Sequence, residues 1–169
     1  MELSPTARVI LGMVRMGKRT GYDIKQLVDV STRFFWAASY GQIYPELRRL
    51  EERGLIKGRH QPSGGRSRTE YSLTPAGERA LNEWLESERE PTWELRDEGL
   101  LKLFLSTGPE VGPTLESMRA SYERGLERLR EIDPPTDPDS GAPLTLEFGI
   151  AFNEWAAEWC TRQLSAAAR

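Results

Sequence analysis

The chain has 169 residues, enough for one domain or for two small units of about 85 residues each, since a single core becomes marginal below roughly 60 residues. Hydrophobic residues make up 38% and charged residues 29%, which excludes a wholly disordered tail, and no stretch approaches the roughly 18 apolar residues of a membrane span. The net charge of −3 conceals a division: residues 1–85 carry 14 Lys and Arg against 9 Asp and Glu, net +5, while residues 86–169 carry 9 against 17, net −8.

A first helix is predicted over residues 5–16. Ser4-Pro5-Thr6 opens it with a proline tolerated in the first turn, and Val9, Ile10, Met13, Val14 and Met16 form an apolar stripe that stops at Gly17. A second helix is expected over residues 20–31, where Ile24, Leu27 and Val28 fall at i, i+3, i+4. Ser39 is the expected N-cap of a third helix, in which Ile43, Leu47 and Leu50 recur at i, i+4, i+7 until Gly54 stops it. The period then changes to the alternation of strands over residues 55–59 and 68–73, joined by the turn-forming, glycine-rich Gln61-Pro62-Ser63-Gly64-Gly65. Thr74-Pro75-Ala76-Gly77-Glu78 then starts a fourth helix, whose stripe is Leu81, Trp84 and Leu85.

In the acidic half, residues 97–105 read as a short apolar helix closed by Thr107-Gly108-Pro109. From residue 112 or 113 to 132, Leu115, Met118, Tyr122, Leu129 and Ile132 fall near heptad a and d positions, a seam that calls for a helical partner. Residues 133–141 are rich in Pro, Asp and Gly and read as an exposed connection. A last helix over residues 144–167 sets Phe148, Phe152, Trp155 and Trp159 at i, i+4, i+7, i+11, a stripe too apolar to stay wet.

No nucleophile elbow, phosphate loop, zinc-protease or Cys-x-x-Cys motif is present, so no enzymatic activity and no cofactor are expected. His60 has no ligand partner at metal spacing, and the single cysteine, Cys160, reads as a small half-buried hydrophobe, so no metal is expected either. Residues 1–8 lack the pattern of a secretory leader, and a cytoplasmic protein is expected.

The fold class that follows is mainly α with a small β-hairpin. The order helix, helix, helix, strand, basic turn, strand, helix is that of a winged helix-turn-helix, in which the third helix enters a major groove and the hairpin touches neighbouring backbone. Ser39, Tyr40, Gln42, Tyr44, Arg48 and Arg49 lie off the apolar stripe of the third helix and offer hydroxyl, amide and guanidinium groups to base edges or phosphates. Arg66 and Arg68 follow the hairpin glycines, and Thr20, Tyr22 and Lys25 at the start of the second helix complete the set of candidate DNA contacts. Arg48 and Arg49 can instead pair with Glu46, Glu51 or Glu52, and a winged helix that binds protein and never touches DNA is the alternative.

The strings Gly21-Tyr22-Asp23-Ile24, Gly41-Gln42-Ile43-Tyr44-Pro45-Glu46-Leu47-Arg48-Arg49-Leu50-Glu51, Gly54-Leu55-Ile56 and Gly65-Arg66-Ser67-Arg68-Thr69-Glu70-Tyr71-Ser72-Leu73-Thr74-Pro75-Ala76-Gly77 together resemble the PadR-like family of winged-helix regulators. The acidic second half resembles, more loosely, the longer subtype with a helical dimerisation domain. The resemblance implies a winged-helix DNA-binding domain over residues 1–88 and a helical dimerisation domain over residues 89–169. It implies a homodimeric repressor on an inverted repeat of double-stranded DNA, with Leu115, Met118, Tyr122, Leu129, Phe148, Phe152, Trp155 and Trp159 as candidate dimer residues. Some relatives respond to phenolic acids or flat aromatic drugs and others have no known ligand, so the resemblance leaves open whether a small aromatic effector acts on this chain. The aromatics Trp93, Phe104, Trp155 and Trp159 read first as core or dimer interface, with an effector pocket near them as the alternative, and no ligand motif carries over.

Overall fold

In the computed structural model, which describes residues 2–32, 35–36, 40–61, 68–88, 90, 95–133 and 140–167, the chain divides into two units, Met1–Pro91 and Thr92–Arg169. Side-chain caps start three helices of the first unit. Ser4 Oγ accepts from the Ala7 N–H ahead of α1 (Pro5–Arg15), Thr20 Oγ1 from the Asp23 N–H ahead of α2 (Gly21–Val30), and Thr74 Oγ1 from the Gly77 N–H ahead of α4 (Pro75–Leu85). Each such cap is worth about 1 kcal/mol. The expected cap of α3 (Tyr40–Glu52), Ser39, lies outside the described residues. Gly54, at φ +67°, turns the chain out of α3, and the Leu55 N–H closes the exit on the Leu50 carbonyl at 2.9 Å.

The hairpin pairs β1 (Ile56–Gln61) with β2 (Arg68–Leu73) in antiparallel register from Ile56 opposite Leu73 to Gln61 opposite Arg68. Strand β1 runs two residues past its expected end and takes in His60, which faces Thr69 across the ladder. The Tyr71 N–H also donates to the Arg19 carbonyl at 2.7 Å, which ties the hairpin to the turn before α2. Ile10, Leu11, Ile24, Val28, Ile43, Leu47, Leu50, Ile56 and Leu81 are fully buried, so all four helices and β1 contribute to one core, while Met16, Trp84 and Leu85, read as parts of the α1 and α4 stripes, lie exposed past the ends of the buried faces.

The second unit is helical. Asp97 Oδ1 caps α5 (Glu98–Leu105) at the Leu100 N–H, and a short 3-10 turn (Gly108–Glu110) leads into α6 (Val111–Arg130), which packs against α7 (Ala142–Ala167). The two long helices are antiparallel: Leu129 meets Gly149, and Gly125 meets Asn153. At Gly125 a Cβ would lie 2.5 Å from Asn153 Oδ1, so a larger residue there would displace the Asn153 side chain. Asn153 uses its amide on the Gly149 carbonyl at 2.8 Å, and Arg130 reaches Glu154 at 2.5 Å. Among the described residues no helix is long and apolar enough to cross a membrane.

Candidate nucleic-acid interface

α3 presents its functional side chains as a direct result of where its core stripe lies. At about 100° per residue, Ile43, Leu47 and Leu50 point inward, and all three are fully buried. Arg48, Arg49, Gly41, Pro45 and Glu52 occupy the outward side and are exposed. Gln42 shares a flank with Arg49, and Tyr44 shares the opposite flank with Arg48; both Gln42 and Tyr44 are exposed. Pro45 lies inside the helix, where its lack of an N–H leaves the Gly41 carbonyl without its helical donor.

The two flanks are tied down differently. Glu46 is only 5% exposed; its Oε1 accepts from Ser4 Oγ at 2.6 Å and its Oε2 from Arg49 Nη1 at 3.2 Å, so one carboxylate joins α3 to the cap of α1 and steadies Arg49. The Arg49 side chain stays 70% exposed. On the other flank the Tyr44 ring packs over Gly21, where a Cβ would meet Tyr44 Cε1 at 2.8 Å, and brings α3 onto the start of α2. Tyr71 of the hairpin stands near Glu51, Tyr44 and Arg48. Its hydroxyl is raised above the ordinary 10.0 by burial, then by Glu51 and Tyr44, with Arg48 opposing. Glu51 Oε1 also accepts the Gly58 N–H at 2.9 Å, so the helix holds the root of the hairpin.

The candidate contacts separate into three groups. Tyr22, Gln42, Tyr44, Arg48, Arg49 and Arg68 reach the surface of the first unit. Thr20 and Lys25 are turned inward: Thr20 is buried as the cap of α2, and Lys25 lies along the helix paired with Asp29 one turn on. Tyr40 is the first residue of α3, while Ser39 and Arg66 lie outside the described residues. One partner escaped the sequence reading, namely Asp23, whose Oδ2 accepts from Arg68 Nη2 at 3.0 Å across 45 residues of chain. The Arg49–Glu46 pair is one of those the sequence offered, but the burial of Glu46 was not legible there, because helical periodicity places it on a flank and only the fold brings Ser4 over it.

In the second unit, Leu115, Met118 and Leu129 are buried within their own chain. The first two close around Cys160, with Leu103, Tyr122 and Trp159 beside them. The heptad seam of α6 is therefore covered by α5 and α7 of the same molecule. Burial pushes the Cys160 thiol above its ordinary 9.0. Phe148 and Trp155 are 60% and 56% exposed, and Phe152 stacks on Phe148 and meets Tyr122 edge-on with centroids 6.3 Å apart. On α5, Phe104 is 86% exposed beside Leu101 and Leu105. A cavity of about 400 Å³ lies between α5 and α6, lined by Asp97, Lys102, Thr114, Ser117, Met118 and Tyr122 among others. The aromatics expected to form a pocket do not line it: Phe104, Trp155 and Trp159 lie elsewhere in the unit, and Trp93 is outside the described residues. The Tyr122 hydroxyl donates to Asp97 Oδ2 at 2.6 Å, and burial together with that carboxylate pushes it well above the ordinary tyrosine value. Among the described residues no group of His, Cys, Asp or Glu is arranged to hold a metal ion.

Comparison with known proteins finds that residues 10–83 match the transcriptional regulator PadR-like family and residues 95–167 match the virulence activator alpha C-terminal family. The chain is 35% identical over 165 residues to the negative transcriptional regulator PadR of Bacillus subtilis, covering 89% of this chain and 90% of that protein. The crystal structure of Bacillus subtilis PadR in complex with operator DNA superposes with a TM-score of 0.84 at 25% identity, covering 98% of this chain and 99% of the other. The same regulator in complex with p-coumaric acid superposes with a TM-score of 0.78 at 24% identity, covering 98% and 100%.

Proposed function

Because the chain belongs to the PadR-like family of transcriptional regulators, we propose that it works as a homodimeric repressor. In this reading α3 reads a major groove, the hairpin touches flanking backbone, and two copies span an inverted repeat. The observation that carries it is the solvent side of α3: Arg48 and Arg49 stand exposed there, with Gln42 and Tyr44 on its flanks and the hairpin arginine Arg68 on the same unit. The pair of Arg49 with the buried Glu46 does not argue against it, since the Arg49 side chain stays 70% exposed and its remaining N–H groups can meet a phosphate from the solvent side. Gln42 offers the bidentate amide that suits adenine, and the arginines suit guanine or phosphate. Thr20 and Lys25 act indirectly, by setting the start and the surface of α2. The protein acts in the cytoplasm as a binder, not as an enzyme.

Dimerisation falls to the exposed stripe of α7, Phe148 and Trp155 with Phe152 behind them, and to Leu101, Phe104 and Leu105 of α5. Leu115, Met118, Tyr122, Leu129 and Trp159 serve it by holding α6, and through it α5, on α7. Exposed apolar surface of this kind is what a second copy covers. A small aromatic effector that weakens operator binding completes the reading; Bacillus subtilis PadR has been solved with p-coumaric acid, and the cavity between α5 and α6 is of the size that takes a single-ring ligand.

Selection of bound fragments from genomic DNA tests the proposal. The full chain should enrich a shared inverted repeat. Gln42→Ala should relax base choice at one position of each half-site, worth about 1–3 kcal/mol of discrimination. Arg48→Ala with Arg49→Ala should weaken binding to all fragments. Enrichment of no common sequence, or a Gln42→Ala profile identical to the parent, would contradict it.

A further inference from the structure

Arg68 opens β2 at the turn end of the hairpin ladder, and its guanidinium pairs with Asp23 in the first turn of α2 at 3.0 Å. The arginine side chain is 55% exposed and the carboxylate 32%, so an incoming anion reaches both. The positions of these two residues are secured by other bonds. The Asp23 N–H is held by Thr20, the Tyr71 N–H by the Arg19 carbonyl, and Arg68 itself by its register opposite Gln61. The ion pair is therefore not what keeps the hairpin on α2.

We infer that Asp23 is an internal phosphate surrogate: it holds the Arg68 guanidinium while the protein is off DNA and competes with backbone phosphate for it. The inference rests on the DNA-binding reading above and adds a residue that lowers affinity. A guanidinium meets a phosphate through two charge-assisted hydrogen bonds, and counterion release from the duplex favours that exchange. DNA therefore takes Arg68, but the exchange gives up the Asp23 pair and leaves a carboxylate beside a polyanion. The device acts on every sequence alike, because phosphates carry no base information. Its consequence is that affinity for operator and non-operator DNA is lowered by the same factor.

The experiment titrates the full-length protein, Asp23→Asn, Arg68→Ala and the double variant against two duplexes across a salt series. One duplex is recovered by genomic selection and the other is its scrambled version. Asp23→Asn should bind both duplexes about two- to fivefold more tightly, the range an exposed pair supports. Its log–log salt slope should steepen by up to about one unit, and in the Arg68→Ala background the gain should fall to half or less. Asp23→Ser should behave as Asp23→Asn does, which separates loss of charge from any local disturbance of α2. Unchanged or weaker binding by Asp23→Asn, or the same gain with and without Arg68, overturns the inference while leaving DNA binding intact. Failure of the unsubstituted protein to bind either duplex overturns both.

Discussion

At Gly77 a single added methyl group would collide with the backbone. A Cβ there would lie 2.0 Å from the Leu55 carbonyl oxygen, at the point where α4 crosses the start of the hairpin. Neither partner is the flexible end of a side chain, so the strain cannot be relieved by a rotamer change. Gly77→Ala should cost about 1–3 kcal/mol, read as a lower thermal midpoint of the first unit, whereas Ala76→Gly beside it provides a control with no such collision. An unchanged midpoint in Gly77→Ala would show that the close approach of α4 is not real. The glycine was visible in the sequence as part of a cap motif, but its steric role was not, because Leu55 lies 22 residues earlier and only the fold brings its carbonyl close. The same limit governs the site. Arg48, Arg49, Gln42 and Tyr44 could be assigned to the surface of α3 from the Ile43, Leu47, Leu50 period alone. The partnership of Arg68 with Asp23 spans 45 residues and has no periodic signal.

Elements were more legible than contacts, for a physical reason: caps and stripes are local. Ser4, Thr20, Thr74 and Asp97 each precede a helix and each accepts from a backbone N–H in its first turn. Boundaries moved where pairing, rather than composition, sets the limit. Strand β1 continues to Gln61 because β2 supplies ladder partners, and α6 begins at Val111 because the turn Gly108–Glu110 feeds directly into it. The heptad pattern of α6 signals an apolar seam without saying whose helix covers it. In this chain α5 and α7 do, with Leu103, Cys160 and Leu164 around Leu115 and Met118. A division of labour follows that mutation can separate. Phe148→Glu combined with Trp155→Glu should abolish self-association in sedimentation while leaving helical content intact. Leu115→Ala should lower stability by about 2–5 kcal/mol and leave the folded protein able to self-associate. Dissociation by Leu115→Ala at full stability, or a dimer that survives both glutamates, would reverse the assignment.

For the whole molecule, charge and apolar surface are partitioned between the two units. Residues 1–85 are net positive and carry the arginines of α3 and β2, and residues 86–169 are net negative and carry the exposed aromatics. The basic unit is attracted to a polyanion and the acidic unit is repelled, which orients each copy before any base is read. Joining two such copies makes the second half-site an intramolecular encounter, so affinity for a paired site exceeds that of either half alone. The central claim is that two copies, held by the acidic unit, place their third helices in successive major grooves. Footprinting on a fragment recovered by genomic selection measures this most directly. The account predicts two protected blocks with inverted symmetry, their centres one helical turn of about 10–10.5 base pairs or a whole multiple apart, with protection lost at equal concentration in the Phe148→Glu, Trp155→Glu variant. A single block without symmetry, or identical protection by that variant, would contradict it.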